Sequence, residues 1–113
     1  MSSEPINWAD FAKIDMRVGT IVAVDSLPQA RKPAYKLTID FGELGQKRSS
    51  AQITTLYEPD TLIGQQVIAV INFPPKQIAT FRSECLVLGS VADDGTVTLL
   101  QPERVTPNGL RIG

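Results

Sequence analysis

Few residues in this chain could carry out covalent or acid–base chemistry. Of its 113 residues none is histidine and one, Cys85, is cysteine. That removes Ser-His-Asp and Cys-His nucleophile pairs, imidazole general bases, and the usual His-containing zinc and iron sites. Ser49, Ser50 and Ser83 have no imidazole to activate them, and no spacing here suggests a Ser-Lys pair. Asp93 and Asp94 are adjacent carboxylates, but they precede Gly95, where Asp is favoured by local backbone hydrogen bonding in a turn. Cys85 opens the apolar run Cys85-Leu86-Val87-Leu88, the setting of a small buried thiol rather than an activated thiolate. No catalytic residue, metal site or cofactor is expected, and a lone cysteine forms no internal disulfide.

Binding groups are better represented. Lys and Arg number 11 against 12 Asp and Glu, a net charge of −1, which argues against nonspecific coating of nucleic acid. The charge is unevenly spread. Between residues 26 and 57, Arg31, Lys32, Lys36, Lys47 and Arg48 meet only Asp40 and Glu43, and the flanking parts are net acidic. Such a centre suits a phosphate chain, and serves equally well to keep strand edges soluble. A second candidate is the stretch from Asn72 to Ser83, which gathers Phe73, Pro74, Pro75, Lys76, Phe81 and Arg82. Prolines stiffen a loop and can hold aromatics near the surface at reduced entropic cost on binding; the same rings could instead plug a barrel end.

These residues need a scaffold, and the hydrophobic pattern supplies one. Asn7 can cap a two-turn helix through Phe11, with Asp10 at N3. Trp8 and Phe11 make that stub apolar and too short to stand alone, so it must pack on its own core or on a partner. From Ile14 a period-two pattern runs to Gly19, and Thr20 to Val24 continues the strand apolar on both faces, with Gly19 expected to mark a bulge or coil where it curves. Pro28 and Pro33 bracket a loop carrying Arg31 and Lys32. Tyr35, Leu37, Ile39 and Phe41 alternate with polar residues as a half-buried strand. That puts Tyr35 and Phe41 inward and leaves Tyr57, Phe73 and Phe81 for the surface. Gly42 and Gly45 turn the chain into a polar return strand from Lys47 to Ile53. Pro59 and Gly64 bound a one-turn helix. Gln65 to Phe73 is an apolar strand that Pro74-Pro75 stops, followed by a loop and the run from Cys85 to Gly89. Asp94-Gly95 marks a hairpin turn between Val91 and Val97. Pro102, Pro107 and Gly109 make an extended tail.

About five strands and two stubby helices, without repeat or linker, predict one all-β domain over residues 1–113. The architecture that fits is a five-stranded OB-type barrel with a short N-terminal helix and a short helix between strands 3 and 4. The start of the chain lacks a signal-peptide pattern, and no apolar stretch approaches the roughly 20 residues of a membrane span, so a cytoplasmic protein without membrane insertion is expected.

Several runs match a known family in order and spacing: Asp15-Met16-Arg17-Val18-Gly19, Ser49 to Thr54, Gln66 to Pro75, Phe81 to Glu84 with Leu86 to Gly89, and Pro107-Asn108-Gly109. From about Trp8 to Gly113 the chain resembles the CsaA-type export-related chaperones of the wider tRNA-binding-domain group. The resemblance implies an OB barrel, no catalysis, and a homodimer whose interface takes in Trp8 and Phe11. It also implies binding of unfolded preprotein peptides. Phe73, Pro74, Pro75 and Phe81 are then expected to line an apolar site, with Lys76, Arg82 and Lys36 complementing acidic or carbonyl groups of the peptide. The competing reading is a structure-specific tRNA-binding accessory protein using Arg31, Lys32, Lys36, Lys47, Arg48, Arg82 and Ser83. In the tRNA-binding relatives a Ser-x-Gly-Met type motif contacts RNA. Here Ser83 is kept, Cys85 and Leu86 replace the glycine and methionine, and Glu84 adds an anion where phosphate would approach.

Overall fold

The computed structural model describes residues 3–27, 31–78 and 80–113; Pro28 of the expected proline-bracketed loop lies outside them. Helix α1 spans Trp8–Ala12 and begins at Asn7, whose side chain accepts the Asp10 N–H at 2.9 Å. The Asp10 carboxylate accepts the Asn7 N–H in return at 3.3 Å, so a reciprocal cap starts the helix where the sequence puts it.

Strand β1 (Met16–Ser26) is long enough to pair twice. Its first half runs antiparallel to β4 (Gln66–Val70) and its second half to β2 (Tyr35–Asp40). The register breaks between Ile21 and Ala23, not at Gly19 as expected. Gly19 serves a different need: a Cβ there would sit 2.5 Å from Ile39 Cγ2 and 2.8 Å from Phe41 Cε1. The inside of the barrel is packed too closely at that point for any side chain.

In β2 the inward residues Tyr35, Leu37 and Ile39 are buried. A 3₁₀ turn, Gly42–Leu44, leads into β3 (Gln46–Ala51), and Gly45 takes a positive φ of 86°. Helix α2 (Pro59–Leu62) has proline in its first turn and Gly64 just beyond it at φ 90°, and it buries Leu62 in the main core. Removing a leucine side chain from water stabilises the fold by about 2 kcal/mol.

The region after β4 departs from expectation. Pro74-Pro75 ends the apolar run, but the chain then forms a hairpin of β5 (Lys76–Ile78) and β6 (Phe81–Ser83) instead of a plain loop. β7 (Leu86–Val87) pairs with the far edge of β4, giving an antiparallel sheet ordered β3-β2-β1-β4-β7. A last hairpin, β8 (Gly89–Val91) with β9 (Val97–Leu99), turns at Gly95 as the Asp94-Gly95 pair predicts. Its strand β9 is tied back by the Leu99 N–H donating to the Tyr57 hydroxyl at 3.0 Å.

The two sheet edges are brought together by the residues between β6 and β7. The Glu84 N–H donates to the Arg48 carbonyl at 2.7 Å, and the Ser50 N–H donates to Ser83 Oγ at 3.3 Å. The result is a nearly closed, five-stranded, OB-like barrel with two short helices. Its tail is pinned rather than loose. The Val18 N–H donates to the Leu110 carbonyl and the Gly109 N–H to the Val18 carbonyl, while Asn108 Oδ1 accepts from both Thr20 and Gln66. Among the described residues no helix is long and apolar enough to cross a membrane.

Candidate functional site

Directly paired residues of an antiparallel sheet share a face. Thus Lys36 and Arg48 point outward, since Lys36 alternates with core residues and Arg48 pairs with outward Thr38. Lys47 pairs instead with Ile39, which is fully buried. It therefore turns toward the barrel's inner side, near enough to Cys85 to act on the thiol electrostatically. Arg31 and Lys32 are exposed in a bend before β2, and Arg82 is exposed on β6. The basic centre of the sequence is thereby divided over two sides of one sheet and one bend.

Its outward members have neighbours of opposite charge. Lys36 lies directly across from Asp25 of β1. The Arg48 guanidinium stands 5.0 Å above the Phe81 ring and 4.0 Å from Glu84, whose carboxylate also accepts the Arg48 N–H at 3.0 Å. Phe81, expected at the surface, is buried at 4% exposure in a small cluster with Leu27, Ala34 and Ile78. The β5–β6 hairpin folds its ring inward under Arg48, so it is a support for the cation. Ser83 is occupied as well: its hydroxyl accepts from Ser50 and donates to the Cys85 carbonyl at 3.3 Å. The segment from Ser83 to Cys85 is the closing seam of this barrel.

A groove of about 640 Å³ opens beside that seam, between the end of β3, the β4–β5 loop, β7 and the β8–β9 hairpin. Phe73, Leu86 and Val91 present exposed apolar surface along it, at 54%, 47% and 71% exposure. Pro74, Lys76 and Ser83 also line it; none of its described lining residues is acidic. Pro75, Phe81, Arg82 and Lys36 are not among the lining residues. Leu86 is absent from the sequence-derived candidates because its apolar run reads as buried strand, and Val91 because it reads only as the flank of a hairpin turn. Cys85 closes the inner side of the groove, and burial, reinforced by the Glu84 charge, pushes its thiol up to about 12. It is a neutral thiol at physiological pH, unsuited to nucleophilic attack.

A second apolar surface lies around α1. Trp8 is 84% exposed and meets Phe11 edge to face, with ring centroids 6.5 Å apart. Ile14, Ile112 and Gly113 continue this surface onto the tail. The helix is held to the barrel by polar ties. Arg17 Nε donates to Asp15 at 2.6 Å, Arg111 donates to the Ala12 carbonyl at 2.9 Å, and Asn72 accepts the Asp15 N–H while donating to the Lys13 carbonyl. The hydrogen bond from Arg17 holds the Asp15 carboxyl below its usual range.

The family model described as "Putative tRNA binding domain" matches residues 16–111, from the start of β1 to the tail's contact with it. The chain belongs to the tRNA-binding-domain family. Within it, the similarity is to the CsaA branch. Chaperone CsaA from Bacillus anthracis strain Ames is 54% identical, superimposes with a TM-score of 0.93, and matches 97% of this chain and all of that one. The CsaA chaperone from Picrophilus torridus is also 54% identical, with a TM-score of 0.88 over 96% of this chain and all of that one. The methionine–tRNA ligase of Methanococcoides burtonii is 36% identical over 104 residues, which is 92% of this chain but 15% of the enzyme. This family member thus corresponds to a small part of such ligases and to the whole length of the CsaA proteins.

Proposed function

We propose that this protein is a non-catalytic, ATP-independent chaperone of the cytoplasm, a single domain over residues 1–113 that works as a homodimer and holds exposed apolar segments of preproteins before export. One observation carries the reading: the groove bordered by Phe73, Leu86 and Val91 leaves large apolar side chains without intramolecular cover, in a chain 54% identical to two CsaA chaperones. An extended apolar segment laid along the groove removes that surface from water at about 25 cal/mol per Å². Lys76 at its edge can meet a carboxylate or carbonyl of the bound segment. Trp8, exposed, and Phe11, half-buried beside it on a five-residue helix, supply the apolar part of the dimer contact.

The second reading, a tRNA-binding accessory protein, draws on the family match and on the methionine–tRNA ligases. One experiment separates the two. Binding of a fluorescently labelled unfolded preprotein segment and of unfractionated tRNA is measured at about 50 and about 200 mM salt, with sedimentation velocity on the same samples. The chaperone reading expects a dimer whose peptide affinity barely responds to salt. The tRNA reading expects affinity that falls with a log–log slope of about 0.9 for each phosphate neutralised. Salt-sensitive tRNA retention without peptide binding overturns the proposal.

A further inference from the structure

The apolar groove and the basic outer face meet at Glu84, and the geometry points to a role for this residue in partner choice: we infer that Glu84 is a specificity determinant that excludes phosphate chains from the β2–β3 face by occupying Arg48. The inference rests on the peptide reading only in that it explains how a barrel of this family is reserved for peptide.

Three contacts converge on one arginine. The Glu84 carboxylate accepts the Arg48 N–H at 3.0 Å, the Glu84 N–H donates to the Arg48 carbonyl at 2.7 Å, and the same carboxylate lies 4.0 Å from the Arg48 guanidinium. The backbone bond places the Glu84 main chain beside Arg48, and the bond from the Arg48 N–H holds its carboxylate there. From below, the guanidinium is held 5.0 Å from the Phe81 ring, which is itself buried. Both charged side chains retain solvent access, at 53% and 39% exposure. Arg48 is therefore reachable by a ligand, yet an approaching phosphate meets a fixed anion and a cation whose charge is already balanced. Binding to phosphate chains depends on displacing mobile counterions by protein cations; a covalently tethered counterion gives no such release. Of the surrounding cations, Lys36 lies across from Asp25 in the strand register without a salt bridge to it, and Lys76 and Arg82 stand exposed on the β5–β6 hairpin. Taking the charge off residue 84 should leave Arg48 free to meet a phosphate on its own, since Lys76 and Arg82 alternate across the hairpin and face opposite sides of it. An unfolded apolar peptide makes no demand on Arg48 and gains nothing from the change.

The test is Glu84→Gln in the full chain, whose amide oxygen can still accept the Arg48 N–H. Binding of unfractionated tRNA and of polyuridylate is compared with wild type at about 50 and about 200 mM salt, alongside affinity for the labelled preprotein segment. One added phosphate contact raises the log–log salt slope by about 0.7 to 0.9, so the fall in affinity over that range should steepen by about threefold. Affinity at the lower salt should rise severalfold while peptide affinity stays put. Adding Arg48→Gln to the variant should remove the gain. No gain in Glu84→Gln, or a gain that survives the loss of Arg48, overturns the inference. Should Glu84→Gln fail to fold, Arg48→Gln alone decides: a drop in the tRNA retention of the otherwise native chain would show Arg48 already engaged with RNA despite Glu84, and would overturn it equally. If wild type binds no peptide but Glu84→Gln gains tRNA through Arg48, the peptide reading fails and this inference stands.

Discussion

The outer face of β2–β3 and the groove beside β7 lie on either side of the same seam, and they treat their side chains in opposite ways. On the outer face the conspicuous groups are charged and have opposite charge nearby: Lys36 across the strand register from Asp25, and Arg48 partnered between Glu84 and Phe81. In the groove the conspicuous groups are apolar and uncovered, with Phe73, Leu86 and Val91 open to water. A cation count measures how much charge a surface holds, not how much of it is available to a ligand. An exposed apolar side chain has no such internal competitor, so the groove keeps its binding energy unspent.

The largest effect that could break this contrast comes from the groove's wall. A Cβ at Gly89 would meet Val97 Cγ1 at 2.6 Å and the Thr98 carbonyl oxygen at 2.7 Å. Gly89→Ala must therefore push the two strands of the β8–β9 hairpin apart, at a cost of about 2 kcal/mol. Urea midpoints should fall and peptide affinity with them. Gly45, at the turn into β3, has open space around its Cβ position, so Gly45→Ala meets only its positive φ, worth about 1 kcal/mol. It should leave peptide affinity alone. Equal losses of affinity in the two variants would mean that the hairpin does not shape the site.

Next in size is the direct probe. Phe73→Ser removes an exposed ring that lines the groove and takes no part in the buried clusters. Affinity for the unfolded segment should fall about tenfold, equivalent to about 1.4 kcal/mol, with stability within about 0.5 kcal/mol of wild type. Calorimetric melting and fluorescence titration of one sample read both quantities. An unchanged affinity would move the peptide elsewhere on the molecule.

Why the barrel was legible in the sequence and the groove was only half so follows from how each is encoded. Alternation at Tyr35, Leu37 and Ile39, proline and glycine around α2, and Asp94-Gly95 each fix a local conformation within a few residues, so the pattern and the structure agree there. The β5–β6 hairpin has strands of three residues each, too short to display a period, and it follows a proline pair that reads as a break. Phe81 was for that reason expected outside when its hairpin folds it in. Leu86 and Val91 fail the other way. The apolar run around Leu86 announces burial, yet β7 stands at the sheet's edge beside the groove, and Val91, which the sequence marks only as a flank of the hairpin turn, stands exposed at the end of β8. Gly19 combines both lessons: its need for space is real, but the contact that requires it comes from Ile39 and Phe41, some twenty residues away in sequence. Phe73, Pro74 and Lys76 could be nominated from sequence because proline and aromatic content is local information. The partnering of Arg48 could not, since Glu84 reaches it across the barrel seam.

The smallest effect tests whether the partnered state of the outer face extends beyond Arg48. Asp25→Asn removes the charge directly across from Lys36 without touching the groove. Opposite charges directly across a strand pair on a solvated face attract by at most about 0.5 kcal/mol, so the variant should lose up to about that much stability in dilute salt. The loss should shrink as added salt screens that attraction. Peptide affinity should not move, while tRNA retention should rise slightly, by less than in Glu84→Gln, because Lys36 lacks the backbone ties that hold Arg48's counterion in place. A stability loss that ignores salt would mean that Asp25 acts through packing rather than charge. Lys36 would then count as an available cation, and the outer face would differ from the groove at its seam alone.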